Sequence, residues 1–251
     1  MIRYKSVREI ELMREAGRIL AGTIEEIKKA VGPEIKTIVF DRIAEDYIKS
    51  HNAQPAFKGY RGFPANICVS VNEEIVHGIP DERRIKEGDI VSIDIGVEYK
   101  NYYADAAVTL EVGRVSPAAR KLVEVTRQSL EKAVAVVRPG AKLSEISSAV
   151  QRCAETNGFS VVRDLVGHGV GQELHEDPQI PNYIEPDEGR KDIILKKGMT
   201  LAIEPMLTEK SYEIETLSNG WTVVTKDRKL SAHFEHTVAV VEGGCRILTV
   251  L

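Results

Sequence analysis

No run in this 251-residue chain approaches the ~18 consecutive apolar residues of a membrane helix, so no membrane partner is expected. The opening residues, Met1-Ile2-Arg3-Tyr4-Lys5, lack the apolar segment that follows the basic start of a secretory signal, so none is expected. Cysteine is scarce. Cys68, Cys153 and Cys245 are odd in number, far apart and form no C-x-x-C pair, which excludes a disulfide framework and reads as reduced thiols in a cytoplasm. Surplus charge is missing as well: 34 basic against 38 acidic residues leave a net −4, with no basic excess to attract a nucleic acid. Two signatures fail on inspection. His175-Glu176 has no second histidine to complete an H-E-x-x-H zinc motif, and Gly167-His168-Gly169-Val170-Gly171 breaks the G-x-G-x-x-G dinucleotide fingerprint at Gln172. No low-complexity or linker-like segment interrupts the chain, so a single domain is expected over residues 1–251.

What is present is ordinary globular material, with enough apolar residues (43%) to build a core. Ile10, Met13, Ile19, Leu20, Ile24 and Ile27 recur at helical spacing behind Ser6, an N-cap residue, and Gly32-Pro33 stops that helix. Phe40, Ile43, Ala44, Tyr47 and Ile48 mark a second helix. Two more are predicted over 117–137 and 143–156. Strand patterns occupy 67–71, 90–97 and 104–112, then 161–163, 200–206, 221–225, 232–241 and 246–249. Pro33, Lys36, Phe40, Ile43, Ala44 and Ile48 align with Pro139, Lys142, Ile146, Ala149, Val150 and Ala154 at a constant offset of 106 residues. Two similar α+β halves are therefore expected, about 1–113 and 114–251, packed as one unit.

The strands at 90–97 and 104–112 carry the first chemical signal. At period two, Val91, Ile93, Ile95 and Val97 share one face, while Ser92, Asp94 and Gly96 share the other. Ala104, Ala106, Val108 and Leu110 oppose Asp105, Ala107 and Thr109 in the same way. With the turn centred between Tyr99 and Lys100, Asp94 and Asp105 fall directly opposite each other, their Cβ atoms roughly 4.5–5.5 Å apart. Two carboxylates so placed repel, and need a shared proton, a basic side chain or a cation.

Three further residues fit the same need. His168 sits among glycines, which allow close backbone approach. Glu204, in Thr200-Leu201-Ala202-Ile203-Glu204-Pro205-Met206, and Glu235, in Ala232-His233-Phe234-Glu235-His236-Thr237-Val238, each interrupt an apolar strand that has no lysine or arginine of its own. Buried carboxylates are rarely left unpaired. Two aspartates, two glutamates and a histidine suit an oxygen-rich site for two divalent cations, with Mn, Fe, Co and Zn all compatible. His233 shares a face with Glu235, either touching this site from outside the ligand set or serving as an ordinary buried histidine. His236 points to the opposite face, and His51 has no motif around it.

Val71-Asn72-Glu73-Glu74-Ile75-Val76-His77-Gly78-Ile79-Pro80, Asp94 with Asp105, Gly167-His168-Gly169-Val170-Gly171, Leu174-His175-Glu176-Asp177-Pro178, Ala202-Ile203-Glu204-Pro205-Met206 and Glu235-His236-Thr237 occur in that order. Together they resemble the type I methionine aminopeptidases of the pita-bread metallopeptidase superfamily, over nearly the whole chain. The resemblance implies a curved antiparallel sheet flanked by helices, in two pseudo-symmetric halves. It implies that Asp94 chelates one metal, that Asp105 and Glu235 bridge two, and that His168 and Glu204 belong to the second. A bridging hydroxide would attack the first peptide carbonyl, with Glu204 as general base. His77 and His175 would contact the scissile peptide, and Phe57, Tyr60, Phe63, Cys68, Leu174 and Trp221 would hold the methionine side chain. The implied substrate is the N-terminus of a nascent polypeptide with a small second residue, met near the ribosome by a cytoplasmic monomer of the minimal bacterial form. Two other readings remain open at this point: a prolidase or aminopeptidase P, which shares the five ligands, and a non-catalytic binding module of the same fold.

Overall fold

The computed structural model describes residues 1–184 and 192–251. Four long helices are present among them: α1 (Val7–Ala30), α2 (Thr37–Ser50), α3 (Pro117–Ala135) and α4 (Leu143–Thr156). Ser6 caps α1 in a reciprocal box with Glu9, which satisfies two otherwise orphaned amides, and the helix ends at Ala30 before Gly32-Pro33. The offset of 106 carries α2 onto α4 from first residue to last, and Lys36 and Lys142, which precede them, each form an isolated bridge, to Arg84 and Ile194.

Each helix pair covers one antiparallel sheet. In the first sheet the Ile90–Tyr99 strand pairs with Tyr102–Glu111 on one side, and with Cys68–Val71 and Gln54–Pro55 on the other. Val91, Ile93, Ile95 and Val97 pack with Leu20, Ile27, Phe40 and Ile48 of α1 and α2. The second sheet runs Gly244–Ile247, His236–Val241, Thr200–Ile203, Gly167–Gly169, Glu176–Ile180, all antiparallel. Leu201, Ile203, Val238 and Val240 pack there with Leu122, Ile146 and Val150 of α3 and α4. The architecture is α+β.

The hairpin register differs from the expected one by two residues, which keeps every side chain on its expected face. Tyr99 pairs with Tyr102, so the turn is Lys100-Asn101 rather than Tyr99-Lys100. Both turn residues hold positive φ, +52° and +64°, as a tight two-residue hairpin turn demands. Asp94 therefore faces Ala107, and Asp105 faces Gly96. The two aspartates still share a sheet face, but as diagonal neighbours.

The strands expected over 200–206 and 232–241 are also not continuous. Each breaks at its glutamate, into Thr200–Ile203 and Met206–Thr208, and into Ser231–His233 and His236–Val241. Pro205 lacks the amide that would continue the ladder. Ile203 pairs with His236 and Met206 with His233, so one register runs through the break and sets Glu204 across from Glu235. His168 lies in the Gly167–Gly169 strand and pairs with Ala202.

Backbone and threonine hydrogen bonds tie the Tyr102–Glu111 strand to the segment around Glu235. Ala107 and Glu235 exchange backbone hydrogen bonds, Glu235 N to Ala107 O at 2.9 Å and Ala107 N to Glu235 O at 3.4 Å. On one side of this pair the Thr237 hydroxyl accepts from Asp105 N (2.9 Å) and donates to Asp105 O (2.8 Å). On the other, the Thr109 hydroxyl accepts from His233 N (2.9 Å) and donates to His233 O (2.8 Å). Each half thus lends one threonine to the other's backbone. Thr237→Val keeps the shape and leaves the buried Asp105 amide and carbonyl unpaired. The expected cost is about 2–4 kcal/mol, read as a lower urea midpoint at unchanged slope.

Candidate metal centre and substrate pocket

Asp94, Asp105, His168, Glu204 and Glu235 line one cavity. Asp94 and Asp105 come from the first hairpin, His168 from the short glycine-flanked strand, and the two glutamates from the strand breaks. Gly169 is required here, because a Cβ on it would lie 2.2 Å from the Asp177 carbonyl of the adjacent strand. Ligand atoms of Asp105, His168 and Glu235 all fall within 4.8 Å of one another. His168 Nε2 lies 3.6 Å from Glu204 Oε1 and 3.9 Å from Asp105 Oδ2. Those gaps are too long for hydrogen bonds. They suit donors around a shared ion, since atoms about 2.1 Å from one centre can be up to about 4 Å apart.

The ring of His168 is already set for such a role. Its Nδ1 lies 2.8 Å from Gly169 O, an acceptor only, so Nδ1 carries the proton and Nε2 offers its lone pair to the cavity. Burial holds this imidazole near a pKa of about 4, hence neutral. The carboxylates move the other way. Burial pushes Asp94 up to about 7, with Asp105 opposing through a hydrogen bond. Burial and then neighbouring carboxylates push Asp105, Glu204 and Glu235 well above their ordinary values. Asp94 Oδ1, Asp105 Oδ1 and Glu235 Oε1 are buried without a hydrogen-bond partner, and among the described residues no lysine or arginine pairs with any of the four. A cation is the group this donor set fits.

The rest of the cavity wall comprises Phe57, Tyr60, Phe63, Cys68, Leu174 and Trp221, with His77 and His175 beside the acids. Phe57, Phe63, Cys68 and Leu174 are buried in one apolar cluster, and Phe63 meets Trp221 edge to face at 5.2 Å. Every residue predicted for the site thus lies around a single space.

Several features of this space escape the sequence. Tyr60 does more than pack. Its Oη lies 2.9 Å from His175 Nδ1, so a phenol donating there leaves the proton of neutral His175 on Nε2. His77 holds a left-handed backbone, φ +58°. The Thr222 hydroxyl donates to its carbonyl at 3.4 Å, and the next amide, Gly78 N, donates to Ser70 Oγ at 3.1 Å. Strain of this kind persists only where surrounding contacts over-determine it. Arg61 reaches the rim. His233 is 1% exposed, with neither ring nitrogen partnered and Nε2 3.8 Å from Glu204 Oε2, which places it against the site and not in the helix-packed core. His236 turns away, to Thr249 Oγ1 at 2.8 Å, and His51 bonds its own helix at Tyr47 O.

A cleft of buried acids and neutral imidazoles on an α+β frame fits a metallopeptidase. Residues 11–242 match the family model of metallopeptidase family M24, and the chain belongs to that family. Within it the chain groups with the methionine aminopeptidases. It is 55% identical to methionine aminopeptidase 1 of Bacillus subtilis over 99% of both chains. It superposes on the crystal structure of methionine aminopeptidase from Thermotoga maritima with a TM-score of 0.96 and 47% identity, covering all of both chains. The prolidase of Pyrococcus furiosus is more distant, with a TM-score of 0.79 and 25% identity, and this chain covers only 65% of it. The fold is the pita-bread fold of these neighbours, and the prolidase reading is not favoured.

The raised carboxylates predict how stability depends on pH without metal. Folded, they keep protons that the unfolded chain has lost, so stability falls as pH rises through their folded pKa values. His168 and His233, lowered by burial, act in the opposite sense, but only below the ordinary histidine value of about 6.5. From pH 7 to 8.5 the carboxylates dominate. Calorimetry of the chelated protein should give a falling Tm over that range, and Mn2+ should abolish the fall. An equally flat profile with and without metal would contradict the arrangement.

Proposed function

We propose that Asp94, Asp105, His168, Glu204 and Glu235 hold two divalent cations, and that the chain uses them to remove methionine from protein N-termini. The observation that carries this reading is the set of buried carboxylates that no lysine or arginine among the described residues pairs with, directly beside an apolar pocket. Four carboxylates balance two divalent charges, and mixed carboxylate and imidazole donors accept Mn, Fe, Co or Zn.

Bound there, the cations supply Lewis acidity to the peptide carbonyl and to the attacking water. The side chains do the rest. Glu204, next to His168 and His233, takes the proton of the attacking water and passes it to the leaving amine. His175, its tautomer set by Tyr60, donates from Nε2 to the carbonyl oxygen as charge develops, and His77 supports it from the opposite motif. Phe57, Phe63, Leu174 and Trp221 enclose an unbranched thioether, and the Cys68 thiol, its pKa raised by burial, contributes a soft neutral surface. The substrate's free α-amine lies among the acids, so only a first residue fits. Initiator methionine stands at the start of new chains, so the nascent polypeptide in the cytoplasm is the substrate, with a small second residue preferred. Monomeric action near the ribosome completes this reading.

The test is hydrolysis of Met-Ala-Ser against Ala-Pro-Ala, with metal and with chelator. Metal-dependent release of methionine from the first peptide alone is expected. Glu204→Gln should lower kcat by about 100-fold or more while leaving the fold intact. Cleavage of only the proline peptide, or near-normal kcat in metal-loaded Glu204→Gln, would overturn the reading.

A further inference from the structure

The turn from Gly171 to Glu176 delivers two residues to the cavity, Leu174 to the apolar pocket and His175 to the acids. Glu176 organises that turn. Its Oε1 accepts from Gln172 N at 2.9 Å and from Glu173 N at 3.3 Å. Its other oxygen, Oε2, meets the Lys5 ammonium at 2.5 Å. Both side chains are almost completely buried, Lys5 at 4% and Glu176 at 3% exposure. The lysine is fixed in turn, because Lys5 N donates to Gly198 O at 2.7 Å and Lys5 Nζ donates to Arg3 O at 3.3 Å. Gly171 makes room for the pair, since a Cβ there would stand 2.3 Å from Lys5 Cε and 2.6 Å from Glu176 Oε1.

The neighbouring residues repeat the pattern. Arg3 bonds Glu173 at 2.8 Å, and the Met1 ammonium pairs with Asp177. Those two links are exposed and contribute little. The Lys5 link is different. A buried ion pair gives small net stability because desolvation offsets its attraction, and its attested use is to specify one geometry over others. Here the geometry specified is that of the turn carrying His175.

We propose that Lys5 is a positioning residue for peptide cleavage: its buried ammonium fixes Glu176, and Glu176 fixes the turn that aims His175 and Leu174 into the cavity. The inference rests on the aminopeptidase reading above. It makes the segment ahead of α1 part of the active-site architecture.

Lys5→Met keeps the length of the side chain and removes its charge. Lys5→Met with Glu176→Gln removes both charges, so no buried ion is left unpaired if the single variant fails to fold. Each is compared with the wild type, all loaded with Mn2+, by kcat and KM on Met-Ala-Ser, by calorimetric metal stoichiometry and by amide exchange at Gln172 and Glu173. Expected are a fall in kcat/KM of about tenfold to 100-fold, unchanged metal stoichiometry and faster exchange at both amides. In a His175→Ala background the further loss should shrink to the part carried by Leu174, because the contribution of His175 cannot be removed twice. A folded double variant with wild-type kcat/KM overturns the proposal, as does a loss that adds in full to that of His175→Ala. Unchanged amide exchange overturns it on its own. A wild type inert on Met-Ala-Ser would instead fell the aminopeptidase reading, while exchange would still decide whether Lys5 holds the turn.

Discussion

Mutual repulsion among four buried carboxylates is the constraint on which the rest of this structure depends. Two unit charges 4 Å apart interact by about 4 kcal/mol even at an effective dielectric of 20. Asp94, Asp105, Glu204 and Glu235 lie together in one cleft, three of them with an oxygen that has no partner. Without a cation, burial drives all four towards the protonated form. With one, the same crowding becomes affinity. The tautomer of His168, fixed by Gly169 O, turns a lone pair and not a proton towards the acids, the orientation that a metal ligand needs.

Two halves share the work of holding these groups. The first supplies the aspartates from an uninterrupted hairpin, and the second supplies the glutamates from paired strand breaks. Neither half closes the site alone. The Ala107–Glu235 backbone pair and the threonines beside it lock the first hairpin to the segment around Glu235 at the level of the acids. Asp105 and Glu235 thus owe their approach to backbone bonds and not to their own chemistry. The apolar pocket sits to one side, built from Phe57, Phe63 and Cys68 of the first half with Leu174 and Trp221 of the second.

Much of this was legible in the amino-acid order. Helix limits follow from caps and stops, as at Ser6 and Gly32-Pro33, and the 106-residue offset marks α2 and α4. Site residues were legible where a polar side chain breaks an apolar period, as at Asp94, Asp105, Glu204 and Glu235. What was not legible depends on the third dimension. The hairpin register hinged on which two residues take positive φ, and Lys100-Asn101 carries no glycine to mark it. The breaks at Glu204 and Glu235 depend on two distant strands kinking together. The bond of Tyr60 to His175 is not legible because the two are 115 residues apart, and Lys5 and Glu176 are 171 apart.

These five side chains are proposed to form one site for two cations. Anomalous scattering from crystals loaded anaerobically with Mn2+ tests it most directly. Two peaks are expected within about 4 Å of each other, one against Asp94, one against His168 and Glu204, both touching Asp105 and Glu235. A single ion bound elsewhere in a Mn2+-dependent enzyme, or peaks that leave Asp105 and Glu235 untouched, would contradict it.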